Sequence, residues 1–235
     1  MIKRLISILA CLTLIIIPAS GDTSSPTPIQ SMMERRLEVL SKSTVSVMML
    51  PSGAMGTGVV YESSKEESKI LTAGHVCLQE EASGALISTH NNLAYSGTSM
   101  AAREDVDLCV ITIAAQLPAV KVAKSYSPRV GDEVYTMSAP LGVYAFPYIG
   151  SMSRMISLYG FPHYLVGIDA APGSSGSPIM YRGKLIGILT MIIDRSPFPS
   201  FSSASIVVPI EVINGFLFWA EQDEETPTNS TSSTP

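Results

Sequence analysis

The chain has 235 residues, 46% hydrophobic and only 15% charged, with a formal net charge of −5. That balance excludes a disordered chain, and 17 Gly without a fixed period exclude a collagen-like one. With 15 Lys+Arg against 20 Asp+Glu there is no basic excess of the kind a phosphate-binding surface needs, so no nucleic-acid partner is expected.

Lys3 and Arg4 precede an apolar run from Leu5 to Ile17, interrupted by Ser7 and Thr13, and Pro18-Ala19-Ser20-Gly21 follows with a break and small residues. A basic start, a short apolar stretch and a small-residue site describe a secretory signal peptide over residues 1–21, cut after Ser20 or Gly21. The run is shorter than the roughly 20 residues that cross a bilayer. Export to a periplasm or the exterior is therefore expected over a retained anchor, with no stable membrane span in the mature chain. Ile8-Leu9-Ala10-Cys11 loosely resembles a bacterial lipobox, but the apolar run continues past Cys11, which argues against lipidation. Residues 22–30 have the Ser/Thr/Pro composition of a linker.

Ser31 followed by Glu34 is a capping-box pattern, and Met33, Leu37 and Leu40 recur at helical spacing, which predicts one helix of about 10 residues. Beyond it the period changes. Thr44–Leu50, Gly56–Tyr61, Lys69–Thr72, Leu108–Ile113, Glu133–Met137, Tyr164–Ile168, Lys184–Ile193 and Ser205–Val208 are short β-branched or apolar runs. Turn material such as Pro51-Ser52-Gly53, Gly131-Asp132 and Tyr181-Arg182-Gly183 separates them, the pattern of an all-β sandwich or barrel. Pro209 to Trp219 predicts a closing helix with Pro at its first turn. Residues 221–235 are acidic, then Ser/Thr/Pro-rich, and are expected to be a disordered tail; Asn229-Ser230-Thr231 within it matches a glycosylation sequon. Without both ends, thirteen basic residues face sixteen acidic ones, and no electrostatic partner is implied.

Ser175 lies in Gly173-Ser174-Ser175-Gly176-Ser177-Pro178. In isolation this is a flexible Gly/Ser loop. Between two apolar strands it is a tight turn that presents a hydroxyl and can aim the N–H groups of Gly173 and Ser175 at one point, as an oxyanion hole requires. A serine hydroxyl needs a base. Of three histidines, His75 ends the apolar run Lys69–Thr72 beside Ala73 and Gly74, His90 lies in a polar turn and is expected to be solvated, and His163 follows Phe161-Pro162 and is expected to be structural. The base needs a carboxylate to hold its tautomer. Asp107 sits at the mouth of Leu108–Ile113, where a carboxylate is costly without a partner. Asp105 is the alternative, expected to be solvated beside Arg103 and Glu104. The order His, Asp, Ser matches the chymotrypsin-type arrangement and differs from that of α/β-hydrolases.

The chain resembles trypsin-like serine peptidases of the chymotrypsin fold, and within them the HtrA (Deg) protease domain, from about Val45 to Phe216. The resemblance is carried by Gly56-Thr57-Gly58-Val59-Val60, Leu71-Thr72-Ala73-Gly74-His75, Asp107-Leu108-Cys109-Val110-Ile111 and Gly131-Asp132-Glu133-Val134 with Ala139-Pro140-Leu141-Gly142. Asp169-Ala170-Ala171-Pro172-Gly173-Ser174-Ser175-Gly176 and Ile206-Val207-Val208-Pro209 complete it. It implies an all-β domain over residues 31–220 of two six-stranded antiparallel β-barrels, divided near 115–130, with an N-terminal and a C-terminal helix. It also implies a serine endopeptidase acting on protein or peptide substrates through His75, Asp107 and Ser175. Alternatives are a catalytically silent binding module of the same fold and an esterase using the same triad.

The chain departs from the resemblance at Ser174, where zymogen-type relatives carry an aspartate, and at Ser177, which replaces a glycine. No sequence remains for a PDZ domain. Counting back from Ser175 places Asp169 at a trypsin-like pocket base; aligning Asp169-Ala170-Ala171 with the HtrA motif makes it structural and the pocket apolar. The second alignment is preferred, because all three residues match and a buried unpaired carboxylate is costly. The strand Ile188-Leu189-Thr190-Met191 is then expected to pair with substrate backbone. Cys77 and Cys109 each follow a triad member by two positions; they are two small buried hydrophobes or, in an exported protein, a disulfide. No Cys/His spacing suits a metal and no glycine pattern suits a nucleotide, so neither metal nor cofactor is expected.

Overall fold

Strand runs that are apolar or β-branched at every position, such as Leu108–Ile113, have to bury both faces. In the computed structural model they do so by lining a barrel with one face and the seam between two barrels with the other. The structure describes residues 28–80, 82–142, 144–193 and 204–225. The expected signal segment with Cys11, linker residues 22–27 and tail residues 226–235 lie outside the described residues.

The first barrel is closed and contains β1 (Thr44–Leu50), β2 (Met55–Ser63), β3 (Ser68–Ala73), β4 (Gly84–Thr89), β5 (Ala94–Arg103) and β6 (Leu108–Ile113), in the order β1-β2-β3-β6-β5-β4. All its pairings are antiparallel. Val45, Val47, Val60, Ile70, Cys109, Ile111 and Ile113 fill it. Their strand neighbours Val59, Leu71, Leu108 and Val110 turn the other way, into the larger core shared with the second barrel. Each such buried aliphatic side chain stabilises by roughly 1.5–3 kcal/mol, so the strand period of two joins the barrels as well as closing them.

The second barrel contains β8 (Glu133–Ser138), β9 (Phe146–Leu158), β10 (Phe161–Gly167), β11 (Pro178–Tyr181), β12 (Lys184–Ile192) and β13 (Ser205–Pro209), in the order β11-β8-β9-β10-β13-β12, closed by β11 against β12. A short strand between the barrels, β7 (Lys121–Val122), adds to β12 in parallel. The expected two-barrel architecture is therefore the observed one; β6 of the first barrel ends at Ile113 and β8 of the second begins at Glu133. β1 and β6 match their expected limits; β4, β5 and β9 were not foreseen.

Two helices flank the barrels. The N-terminal helix α1 (Pro28–Ser43) has 16 residues, beginning inside the expected linker. Ser31 does not cap it. Its hydroxyl donates to the Pro28 carbonyl (2.9 Å) within the first turn. Leu40 is buried in the larger core, with Met33 and Leu37 packed against it. The C-terminal helix α3 (Ile210–Glu225) starts after Pro209, the last residue of β13, and runs five residues into the segment expected to be disordered. Its apolar face, Ile210, Ile213 and Phe216, lies on the second barrel, while Trp219 stacks on Arg103 of β5 (5.6 Å). The last buried side chain of this helix is Ala220; Glu221 and Gln222 beyond it are exposed.

Candidate active site

Two features of the sequence bring His75 and Asp107 together. β3 pairs with β6 so that Ala73 lies opposite Leu108, and the chain leaves β3 directly into the four-residue helix α2 (Gly74–Cys77). Gly74 allows the close approach: a Cβ there would lie 2.8 Å from Leu108 N and 2.9 Å from the Asp107 carbonyl carbon. Asp107 takes φ 51°, a left-handed conformation that Asp tolerates better than most residues. Its Oδ1 accepts from the His75 backbone N–H (2.7 Å), and both carboxylate oxygens lie 3.0 Å from His75 Nδ1. Two bonds from one residue to one carboxylate fix the ring orientation. With Nδ1–H donating, Nε2 carries the free lone pair. The imidazole side chain is 49% exposed and the carboxylate 26%, so the pair opens to solvent on the histidine side. Behind it, Cys77 of α2 and Cys109 of β6 are joined by a disulfide (S–S 2.10 Å).

Ser175 arrives from the second barrel on the loop between β10 and β11. Gly173 (φ +92°) and Gly176 (φ +89°) bracket it. A Cβ at Gly176 would lie 1.9 Å from the Thr57 carbonyl oxygen, so the loop is wedged against β2 of the first barrel. Thr57 is the bridge. Its N–H donates to Ser175 O (2.7 Å), its Oγ1 donates to Gly173 O (2.9 Å), and the same Oγ1 accepts from Ala139 N–H (2.9 Å). On the other side Gly176 N–H donates to Leu189 O (2.7 Å). At Gly56 a Cβ would meet both Val76, the neighbour of His75, and the Ser175 carbonyl oxygen (3.0 Å), which places Ser175 beside the histidine helix.

The departures noted at Ser174 and Ser177 have structural uses. Both are fully buried. Ser174 Oγ accepts from Ala171 N–H (3.2 Å), Ser177 Oγ donates to Ser174 O (2.6 Å), and Ser138 Oγ lies 2.8 Å from Ser177 Oγ. Three small hydroxyls thus tie the loop to β8. Leu141 N–H donates to Pro172 O (3.0 Å), which fixes the plane of the Pro172–Gly173 peptide. Because a trans peptide sets C=O and N–H on opposite sides, the Gly173 N–H points away from Leu141. Neither it nor the Ser175 N–H has a partner among the described residues.

The remaining candidates separate. Asp169 is exposed beside Tyr148, whose phenol is pushed up by burial and then by the Asp169 charge. It is therefore not the buried carboxylate of a trypsin-like pocket base. Leu189 does not offer backbone to a substrate as expected, because its N–H donates to Ser177 O (2.9 Å) and its C=O accepts from Gly176. Thr190, buried with its Oγ1 unpaired, and half-buried Met191 follow on the stretch of β12 beyond β11. A cleft of about 710 Å³ next to them is lined by Glu104, Asp107, Tyr159, His163 and Met191 among others. His163 is buried with Nδ1 3.1 Å from the Phe161 carbonyl oxygen, His90 is exposed, and Asp105 is ion-paired with Arg103, which lowers its pKa. Thr57, Leu141 and the Ser138–Ser177 contact were not foreseen as site residues. Thr57 stood in the quoted Gly-Thr-Gly run, yet its role depends on groups more than eighty residues away.

The paired His75–Asp107 lies on one barrel and the glycine-bracketed Ser175 on the other, at the seam of a two-barrel fold. The family model described as the trypsin-like peptidase domain matches residues 56–188, more than half of the chain, and the chain belongs to that family. It is 27% identical over 171 residues to a probable periplasmic serine endoprotease, DegP-like, of Hahella chejuensis, covering 69% of this chain and 35% of that one. A serine protease, HtrA-like, of Staphylococcus aureus is 26% identical over 177 residues, covering 68% and 22%. The chain thus spans about a third or less of the length of these curated relatives. Among solved structures, the serine endoprotease from Yersinia pestis superimposes with a TM-score of 0.71 at 19% identity, covering 86% of this chain and 69% of that one. The HtrA-type protease AlgW with tripeptide gives 0.69 at 20% identity, covering 77% and 61%. These structures share the fold.

Proposed function

We propose that the chain is an exported serine endopeptidase with His75, Asp107 and Ser175 as its triad. The observation that carries this reading is the grip of Asp107 on His75 through both the ring Nδ1 and the backbone N–H, which leaves Nε2 as the base. His75 Nε2 takes the Ser175 proton as Oγ bonds to the scissile carbonyl carbon. The resulting oxyanion accepts from the N–H groups of Gly173 and Ser175. Collapse breaks the C–N bond, and His75 returns the proton to the leaving amine. Water then repeats the sequence on the acyl-enzyme, with His75 as base, and releases the acid. Asp107 stays ionised and stabilises the imidazolium.

Substrate backbone pairs with the Thr190–Met191 stretch of β12, and the side chains before the cut enter the cleft beside Met191 and His163. With Asp169 exposed and Ala170 and Ala171 buried, the pocket for the residue before the cut is apolar. Export rests on the Lys3–Gly21 pattern, and the Hahella relative carries a periplasmic designation.

A fluorophosphonate probe tests the reading. Labelling of the wild-type chain and its loss in Ser175→Ala is the expected result. An unlabelled wild type would return the chain to a silent binding module. Digestion of a peptide library then separates peptidase from esterase, since an esterase leaves the amides uncut.

A further inference from the structure

The five cations Arg35, Arg36, Lys121, Arg182 and Lys184 are scattered over 150 residues of sequence, and the fold collects them around one groove of about 590 Å³. They are a third of the 15 Lys+Arg in a chain of net charge −5. Among the described residues no Asp or Glu lines this groove, and none of the five is ion-paired. The helix makes this possible. Met32, Arg35, Arg36 and Val39 share one face of α1, about 100° wide at helical spacing, while Glu34 falls opposite and Glu38 is taken by Lys42 (2.9 Å). The floor is apolar, made by the buried Leu40, Val120, Tyr135 and Met180, and exposed Met32 and Val39 form one wall. The opposite wall is the β11–β12 turn, carrying Arg182 and Lys184.

We propose that this groove, between α1 and the β11–β12 turn, is a binding site for an acidic peptide segment with interspersed apolar side chains. Unbalanced positive charge within one concavity raises the local potential and favours an anionic occupant. The apolar floor selects among anions. A phosphodiester backbone has nothing to place on Leu40 and Met180. A lipid bilayer needs a convex or flat face to receive it, whereas this surface is recessed. A peptide alternating carboxylates and apolar side chains meets both the rim and the floor. None of the groove residues belongs to the candidate active site, so the inference stands apart from the endopeptidase reading.

The test uses the Ser175→Ala chain, which cannot consume the probe. Fluorescence anisotropy is read with a short fluorescein-labelled peptide of alternating Glu and Leu, its Gln/Leu counterpart, a labelled oligothymidylate, and vesicles of anionic phospholipid. The Glu/Leu peptide is expected to bind, more weakly as salt rises, and the Gln/Leu peptide to bind at least about tenfold less tightly. The pair Arg35→Glu/Lys184→Glu is expected to weaken binding on the order of tenfold or more, as is Lys121→Glu/Arg182→Glu, with unchanged thermal midpoints because all four side chains are exposed. Equal binding by both charge-reversed pairs, or no binding of the Glu/Leu peptide, overturns the proposal. Binding of vesicles or oligothymidylate in its place overturns the choice of occupant.

Discussion

In the first barrel His75 and Asp107 are held by a disulfide and by main-chain contact at Gly74, both local to β3, α2 and β6. In the second barrel Ser175 rides on a loop whose conformation is set by neighbours in β8, β12 and, through Thr57, the other barrel. One half of the candidate site is therefore self-contained and the other is conditional. The base and its carboxylate should keep their geometry as long as the first barrel is folded, whereas the serine loop depends on the seam. Perturbations of the two halves should fail in different ways, and three variants separate them.

The largest effect is expected at the disulfide. The bridge closes a separation of 32 residues, and removing such a link costs about 2–4 kcal/mol through the denatured chain. Cys77→Ala with Cys109→Ala should lower stability by that amount in urea melts. The rate of fluorophosphonate labelling per folded molecule should change far less, because Gly74 and the two Asp107 bonds remain. A labelling rate that collapses in a still-folded variant would show that the link, and not the main-chain contact, sets the His75–Asp107 geometry.

Thr57→Val comes next and probes the seam. Valine keeps the shape but removes a fully buried hydroxyl, leaving Gly173 C=O and Ala139 N–H without that partner. An orphaned buried group costs about 1–3 kcal/mol, and relaxation of the loop toward other partners should keep the total for the two within that range. The labelling rate should fall along with stability, since Gly173 is one of the two proposed oxyanion donors. If stability drops while labelling of the folded fraction is unchanged, the serine loop is as self-contained as the histidine half and the contrast between barrels is lost.

The same contrast explains what could be read in the sequence. β6 is apolar or β-branched throughout because both faces are buried, β1 is so apart from Ser46, and the limits of both were legible. β9 was not, although it is the longest strand among the described residues. Phe146–Leu158 is mostly exposed and carries Pro147, Gly150 and Arg154, and it is a strand because β8 and β10 pair with it along most of its length. As candidates, His75, Asp107 and Ser175 could be picked from the sequence because chemistry limits the residue types that serve as base, carboxylate and nucleophile. Thr57 and the buried serine hydroxyls were not, since any small polar residue looks alike until the chain brings a partner to it, and Leu141 acts only through a backbone N–H, which every residue but proline carries. A total near neutrality is an average, and it carries no trace of the five cations that meet only in the folded chain.

The smallest effect is expected where the second barrel has its own, polar counterpart of the disulfide. Asp132 Oδ2 accepts from Tyr126 OH (2.7 Å) and Arg129 N–H (3.1 Å), and Oδ1 accepts from Tyr181 OH (3.2 Å), tying the segment before β8 to the end of β11. The Tyr126 bond, ahead of the Arg129 and Tyr181 bonds, holds the carboxyl below its ordinary 3.8. A depressed carboxylate pKa adds stability that is full above the unfolded value and is lost as pH falls through the folded one. Asp132→Asn should therefore cost less than about 1 kcal/mol near neutrality, given solvent screening at this surface. The gap to wild type should close as pH is lowered below about 4. Thermal melts at several pH values measure this directly. A gap that persists unchanged in acid would mean that the staple acts by shape and not by charge, and the second barrel would then be held much as the first is.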